Sequence, residues 1–205
     1  MRKTKKLTAK AAAQQLFRKH GGVLRTAQAI DAGVHPRVLY ALRDDGIVQP
    51  IARGLFRLTD MAPLESPDLF VVASKVPRGV ICLISALAFH GLTTQSPREV
   101  SIALAKGSEE PRIGYPPVKF YWISGPAFLE GIENHKKDGT VIRVYCAEKT
   151  LADCFKFRNK IGLDVCIEAL REWRARKRPD IGKLMHFAKI CRVEKIIRPY
   201  LDAIL

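Results

Sequence analysis

GGVLRTAQAIDAGVHPRVLYALRDDGIVQPIARGLFRL, residues 21–58, is the stretch on which the reading of this chain turns. Gly21-Gly22 stops a preceding helix, expected over Leu7–His20 from its Ala, Gln, Leu and Lys, with Leu16 and Phe17 as core anchors. A short second helix is expected over Thr26–Ala32. Thr26 suits its N-cap, and Gly33 suits the left-handed position that ends a helix. Pro36 belongs in the first turn of a third helix, where its missing N–H costs nothing, and His35 before it is pushed out of the helical region. That helix should run from Pro36 to about Asp45 and end near Gly46. Two short helices joined by a tight Gly-containing turn make a helix-turn-helix.

The third helix divides into two faces. Val38, Leu39 and Leu42 are apolar and should pack inward, whereas Arg37, Tyr40 and Arg43 recur every three residues on the other side. In a helix-turn-helix the exposed face near the start of the second helix enters the DNA major groove. Arginine there pairs bidentately with guanine or holds a phosphate, and Tyr40 would reach a phosphate or a thymine methyl. After this helix, Ile47–Ile51 and Leu55–Leu58 are β-prone runs around Ala52-Arg53-Gly54 and read as a hairpin with Gly54 in the turn. A hairpin directly after a recognition helix is the wing of a winged helix, with Arg53 near its tip. The residues expected to bind DNA are Arg25, Thr26, His35, Arg37, Tyr40, Arg43, Gln49 and Arg53.

Charge points the same way. Of the 205 residues, 35 are Lys or Arg and 20 are Asp or Glu, a net charge of +15. Residues 1–60 carry 12 basic and 4 acidic side chains, net +8, about half the excess in under a third of the length. Such a balance calls for an anionic partner, and nucleic acid is the commonest one. A second cationic cluster, Arg174, Arg176, Lys177 and Arg178, reads either as an anion patch or as a solvated helix end, where positive charge is also favoured.

The stretch at 21–58 resembles the N-terminal winged helix of the AbiEi-type antitoxins, the antitoxin half of type IV toxin–antitoxin systems. ISALAFHGLTTQSP (84–97), followed by VSIAL (100–104), resembles the start of that family's second domain, and RVYCAEKTLADCFKFRNKIGLDVCIEAL (143–170) resembles its later part. The resemblance implies a first domain that binds inverted repeats in the promoter of its own operon. It implies a second domain linked to dimer contacts or antitoxicity. The cognate toxin would be a nucleotidyltransferase encoded next door, held in no stable complex.

Beyond residue 60 the chain mixes strands and helices. Residues 61–66 read as a linker and Ser66-Pro67 as the start of a helix through Lys75. Val80–Ile84, Val100–Leu104, Val118–Ile123 and Thr140–Cys146 are strand-like; Ser85–His90 is a short helix closed by Gly91. From Ala147 the pattern turns helical: one helix through Leu151, Ala152 and Phe155, another from Val165 to Trp173, a third opened by Pro179 and a fourth over Val193–Leu205. The expected fold is therefore α+β: a winged helix-turn-helix over 1–60, the linker, and a mixed α/β domain over 67–205 with a helical end.

Little in the chain points to catalysis. The nucleophile-elbow and phosphate-loop motifs are absent. Gly107-Ser108 resembles the start of a nucleotidyltransferase site, but no Asp-x-Asp follows to hold metal ions. Glu148-Lys149 has the wrong spacing for a nuclease. The five cysteines form no C-x-x-C, which speaks against a zinc ribbon or a disulfide framework and for free thiols in a reducing cytoplasm. Neither a metal nor a cofactor is expected. No apolar run approaches the roughly 20 residues of a membrane span, and AAAQQLFRKH after the basic start is too polar for a signal core. The leading expectation is a cytoplasmic regulator, autorepressor and antitoxin, binding double-stranded DNA as a homodimer on palindromic sites. The alternatives are a protein-docking module built on the winged helix, and a nuclease.

Overall fold

The computed structural model describes residues 8–204, which divide into two units. The first holds the residues up to Val71 together with Lys136–Val141; the second holds Val72–His135 and Ile142 onward.

The first unit begins with α1 (Ala9–Lys19), whose N-cap Thr8 accepts a hydrogen bond from the Ala11 amide. The expected start at Leu7 lies outside the described residues. β1 (Val23–Arg25) follows, then α2 (Thr26–Asp31), α3 (Pro36–Asp44), β2 (Val48–Ala52) and β3 (Leu55–Leu58). The strands form an antiparallel sheet in the order β1-β3-β2. Pro50 is tolerated because β2 is an edge strand, where a missing N–H breaks no ladder. Phe17, Leu24, Leu39, Leu42, Val48, Phe56 and Leu58 make one core, each fully buried large side chain contributing roughly 1.5–3 kcal/mol. Arg57 points into this unit as well: its guanidinium binds the Asp138 carboxylate at 2.8 Å and the Ala62 carbonyl.

The boundary between the units falls inside α4 (Pro67–Lys75), after Val71; the second unit contains the end of that helix, then β4 (Val80–Ile81), α5 (Leu83–Phe89), β5 (Val100–Ala105), β6 (Val118–Ile123) and α6 (Pro126–Leu129). β7 (Ile132–Lys137) and β8 (Thr140–Tyr145) come next, followed by α7 (Ala147–Lys156), α8 (Arg158–Ile161), α9 (Leu163–Arg174), α10 (Ile181–Ile190) and α11 (Glu194–Asp202). The five-stranded sheet has the order β6-β5-β4-β8-β7, with β4 antiparallel to β5 and parallel to β8, and β6 parallel to β5.

Several boundaries differ from expectation for local reasons. The strand expected over Val80–Ile84 stops at Ile81, and Leu83-Ile84 open α5. Pro179 does not open α10; Asp180 caps it instead, accepting from the Lys183 amide at 2.8 Å. α11 starts at Glu194 and ends at Asp202, and the strand expected to reach Cys146 ends at Tyr145.

α7 is the centre of the second unit. Every residue from Lys149 to Phe155 is buried, so over these two turns the helix has no solvent face. A helix buried all round is normally apolar. This one carries a lysine and an aspartate, paired one turn apart: Lys149 Nζ lies 2.5 Å from Asp153 Oδ2, with both side chains sealed from solvent. Lys149 also sits over the Tyr145 ring, 4.1 Å from its centroid, and the Cys191 thiol donates to the other Asp153 oxygen at 3.2 Å. Burial pushes the Asp153 carboxyl above its ordinary value, with the Lys149 ammonium opposing. All five cysteines are free and buried.

His90 ends α5, and its Nε2–H donates to the Tyr145 carbonyl at 2.7 Å. Burial lowers its pKa below the ordinary 6.5; the Tyr145 carbonyl and the charge of Glu133 oppose the shift, and the charges of Arg176 and His135 add to it. The unfolded chain therefore binds the proton more readily than the folded one. The resulting stabilisation is fully present above 6.5 and is lost as pH falls through the lower folded value. Trp122 and Trp173 both lie in this unit, so tryptophan fluorescence reports its unfolding. The urea midpoint should drop between pH 7.5 and pH 5, and His90→Gln should flatten that dependence.

Candidate nucleic-acid interface

α2 and α3 are joined by Ala32–His35, and Gly33 takes φ +86° there, as a tight turn between helices requires. His35 is the N-cap of α3, and its Nδ1 accepts from the Arg37 amide at 3.2 Å. Pro36 occupies the first turn. The cap leaves His35 Nε2 free to donate outward.

Leu39 and Leu42 are buried and Val38 is half-buried, while Arg37, Tyr40 and Arg43 lie on the opposite face. The Arg43 guanidinium lies over the Tyr40 ring, 5.0 Å from the centroid, and its Nε and Nη2 both donate to Asp44 Oδ1, at 2.9 and 2.8 Å. An exposed pair of this kind is worth little, so a phosphate or a guanine edge can displace it. Arg37 has no carboxylate partner among the described residues.

The other expected residues gather around the hairpin. Thr26 is not the N-cap of α2; it is the first helical residue, and Arg25 holds the cap position. The physical reason is β1, which keeps Arg25 extended and paired with Leu55. The Gln28 side chain reaches back to accept from the Arg25 amide at 3.0 Å. The Thr26 amide donates to the Gly54 carbonyl at 2.9 Å, which ties the start of α2 to the hairpin turn. Gly54 has φ +71°, and Arg53 beside it is exposed. Gln49 is exposed on β2, opposite Arg57 in the ladder.

The residues thus fall into two groups: His35, Arg37, Tyr40 and Arg43 on α3, and Arg25, Thr26 and Arg53 around the hairpin turn. No hydrogen bond or ion pair joins the groups among the described residues, and Gln49 belongs to neither.

Pairing sorts the cations of the first sixty residues. Lys10 is held by Asp45, Arg18 by Asp60, Arg43 by Asp44 and Arg57 by Asp138. Among the described residues to position 60, those without a carboxylate are Lys19, Arg25, Arg37 and Arg53. Lys19, at the exposed end of α1, is absent from the expected set; only its place in the last basic turn of a helix marks it.

The second cluster lies in the second unit, at the end of α9 and in the segment leading to α10. Arg174 is half-buried and its Nε has no partner among the described residues. Arg176 donates to the His90 carbonyl, and Lys177 and Arg178 are exposed. None of the four is in an ion pair among the described residues.

A helix-turn-helix whose second helix exposes arginine and tyrosine, followed by a hairpin, is the arrangement of transcriptional regulators of the helix-turn-helix class. Residues 12–59, from within α1 to just past β3, match the family described as transcriptional regulator, AbiEi antitoxin. The resemblance read over 21–58 lies inside this match. Among solved structures, the chain is similar to the crystal structure of the RV2827C protein from Mycobacterium tuberculosis, with 14% identity and a TM-score of 0.53 over 96% of this chain and 82% of that one. At that identity the likeness is one of fold, and it runs through both units. No curated protein matches the chain. No described helix is long and apolar enough to cross a membrane, and no described group of His, Cys, Asp and Glu could hold a metal ion.

Proposed function

We propose that this chain is a sequence-specific DNA-binding regulator that represses its own promoter as the antitoxin of a type IV system. Its toxin is a nucleotidyltransferase with which it forms no stable complex. The carrying observation is the outward face of α3, where Arg37 is free of any described carboxylate beside the stacked Tyr40 and Arg43. In this reading α3 enters the major groove, and its N-terminal Arg37 and the outward Nε2 of His35 meet base edges. The β2–β3 hairpin is the wing: Arg53 at its tip, with Arg25 and Thr26 at its base, holds backbone phosphates, and Gln49 contacts the flank. Arg174, Arg176, Lys177 and Arg178 add phosphate affinity without sequence preference.

The test is binding to the duplex upstream of the chain's own gene against a scrambled duplex, at about 150 mM salt, where non-specific affinity is weak. A preference of about a thousandfold or more is expected. Equal, weak binding to both duplexes would overturn the reading. Arg53→Ala should weaken binding to both sequences alike and lower the slope of log K against log salt by about 1, the signature of one lost phosphate contact.

A further inference from the structure

The sheet of the second unit ends on an unpaired edge. β6 is an outermost strand, paired among the described strands with β5 alone, with Val100–Ala105 in register with Val118–Ile123. The Pro117 and Ile123 carbonyls accept from Val100 and Lys106. Odd-numbered residues of β6 therefore turn their backbone groups toward β5, and Val118, Phe120 and Trp122 turn theirs outward. No described residue takes those outward groups.

The side chains divide too. Tyr121 and Ile123 enter the core, and the Tyr121 ring meets Phe157 at 5.4 Å. Phe120 and Trp122 stand on the other face, their ring centroids 6.2 Å apart, and Trp122 is 43% exposed. The Trp122 Nε1–H donates to the Ser108 carbonyl at 3.0 Å, which holds the indole in place. Edge strands are normally blunted by proline, bulges or bare charge. β6 has no Pro or Gly, and its single charge, Lys119, lies 3.4 Å from Glu99.

We propose that β6 pairs antiparallel, about a two-fold axis, with β6 of a second copy of this chain, so that one sheet runs through both. The occupant is a second copy because the strand complements itself. With Tyr121 on the axis, even-numbered residues meet even-numbered ones, as the outward backbone groups require. Phe120 then lies opposite Trp122 of the second copy, and Trp122 opposite its Phe120, giving two aromatic cross-strand pairs. Lys119 falls opposite Ile123, so the two ammonium groups do not face each other. The inference meets the regulator reading only in that a palindromic site calls for two copies, and its test uses no DNA.

A pair of six-residue strands is smaller than a standard interface of roughly 1,600 Å², so association on the order of tens of micromolar is expected. Sedimentation of the full chain from about 1 to 200 µM should show a monomer becoming a dimer across that range. Trp122→Glu and Phe120→Lys should each weaken self-association by about tenfold or more. Mixing the two variants should restore it, because the introduced ammonium of one chain then meets the introduced carboxylate of the other across the axis. Circular dichroism verifies that each variant is folded. A wild-type chain that stays monomeric throughout overturns the proposal whatever the variants do. So does a folded Trp122→Glu that dimerises like wild type, or a mixture that regains nothing. A wild-type chain that stays monomeric yet selects its own duplex would remove this interface and leave the regulator reading standing; a wild-type dimer with no DNA selectivity would do the reverse.

Discussion

Asp153→Ala is expected to destabilise the second unit by about 3–5 kcal/mol, which is a large part of the stability of a domain this size. The substitution leaves the Lys149 ammonium buried with no counter-charge, facing the Tyr145 ring and the side chains of the central core. It also strips the Cys191 thiol of its acceptor and opens space inside the buried stretch of α7. Lys149→Ala should cost a similar amount by stranding the carboxylate, whose pKa burial already raises. The paired change Lys149→Met with Asp153→Leu removes both charges at nearly constant volume, and it should recover most of the loss or exceed wild type. Urea unfolding followed by tryptophan fluorescence measures all of these, since Trp122 and Trp173 both report on this unit. If the single and double changes cost the same, the pair is not the coupled unit that its 2.5 Å contact makes it.

Arg37→Ala is expected to weaken binding to the cognate duplex by about 1–3 kcal/mol and to leave the scrambled duplex nearly unaffected. Arg37 projects from the first turn of α3, and no described carboxylate has to be displaced before it can engage a base. Arg43→Ala should cost less. Its fork is already spent on Asp44 and its plane on Tyr40, so part of what DNA would supply is supplied in the free protein. Asp44→Ala should for the same reason tighten binding slightly. Competition titrations of the two duplexes at fixed salt separate the cases. A loss at Arg37 that is equal on both duplexes would assign it to a phosphate instead of a base.

Much of the first unit can be read directly from the chain. Proline at the start of α3, glycine in the turn before it, and apolar residues at helical spacing each act over a few neighbours, and local sterics suffice to place them. β6 occupies the same residues over which it is expected, because VKFYWI is an uninterrupted β-prone run. β1 escapes such a reading: three residues are too few to show a period, and the strand exists because β3 offers it a partner. β7, IENHKK, escapes it for a related reason, since its polar residues carry no alternation and the neighbouring β8 holds it in the sheet. By pattern alone Lys149 and Asp153 resemble the polar side of a surface helix, and only the packing of α5, α9, α10 and α11 around α7 puts them inside.

Sequence by itself determined the helix-turn-helix, the face of α3 that turns outward, and the cationic excess of the first sixty residues. Tertiary structure decided which of those cations are available. Lys10 and Asp45 are 35 positions apart, Arg18 and Asp60 are 42, and Arg57 and Asp138 are 81. Helix faces follow from bonds between near neighbours, so a local pattern reveals them. Ion pairing depends on where the chain returns in space, and that is set by the packing of the whole unit.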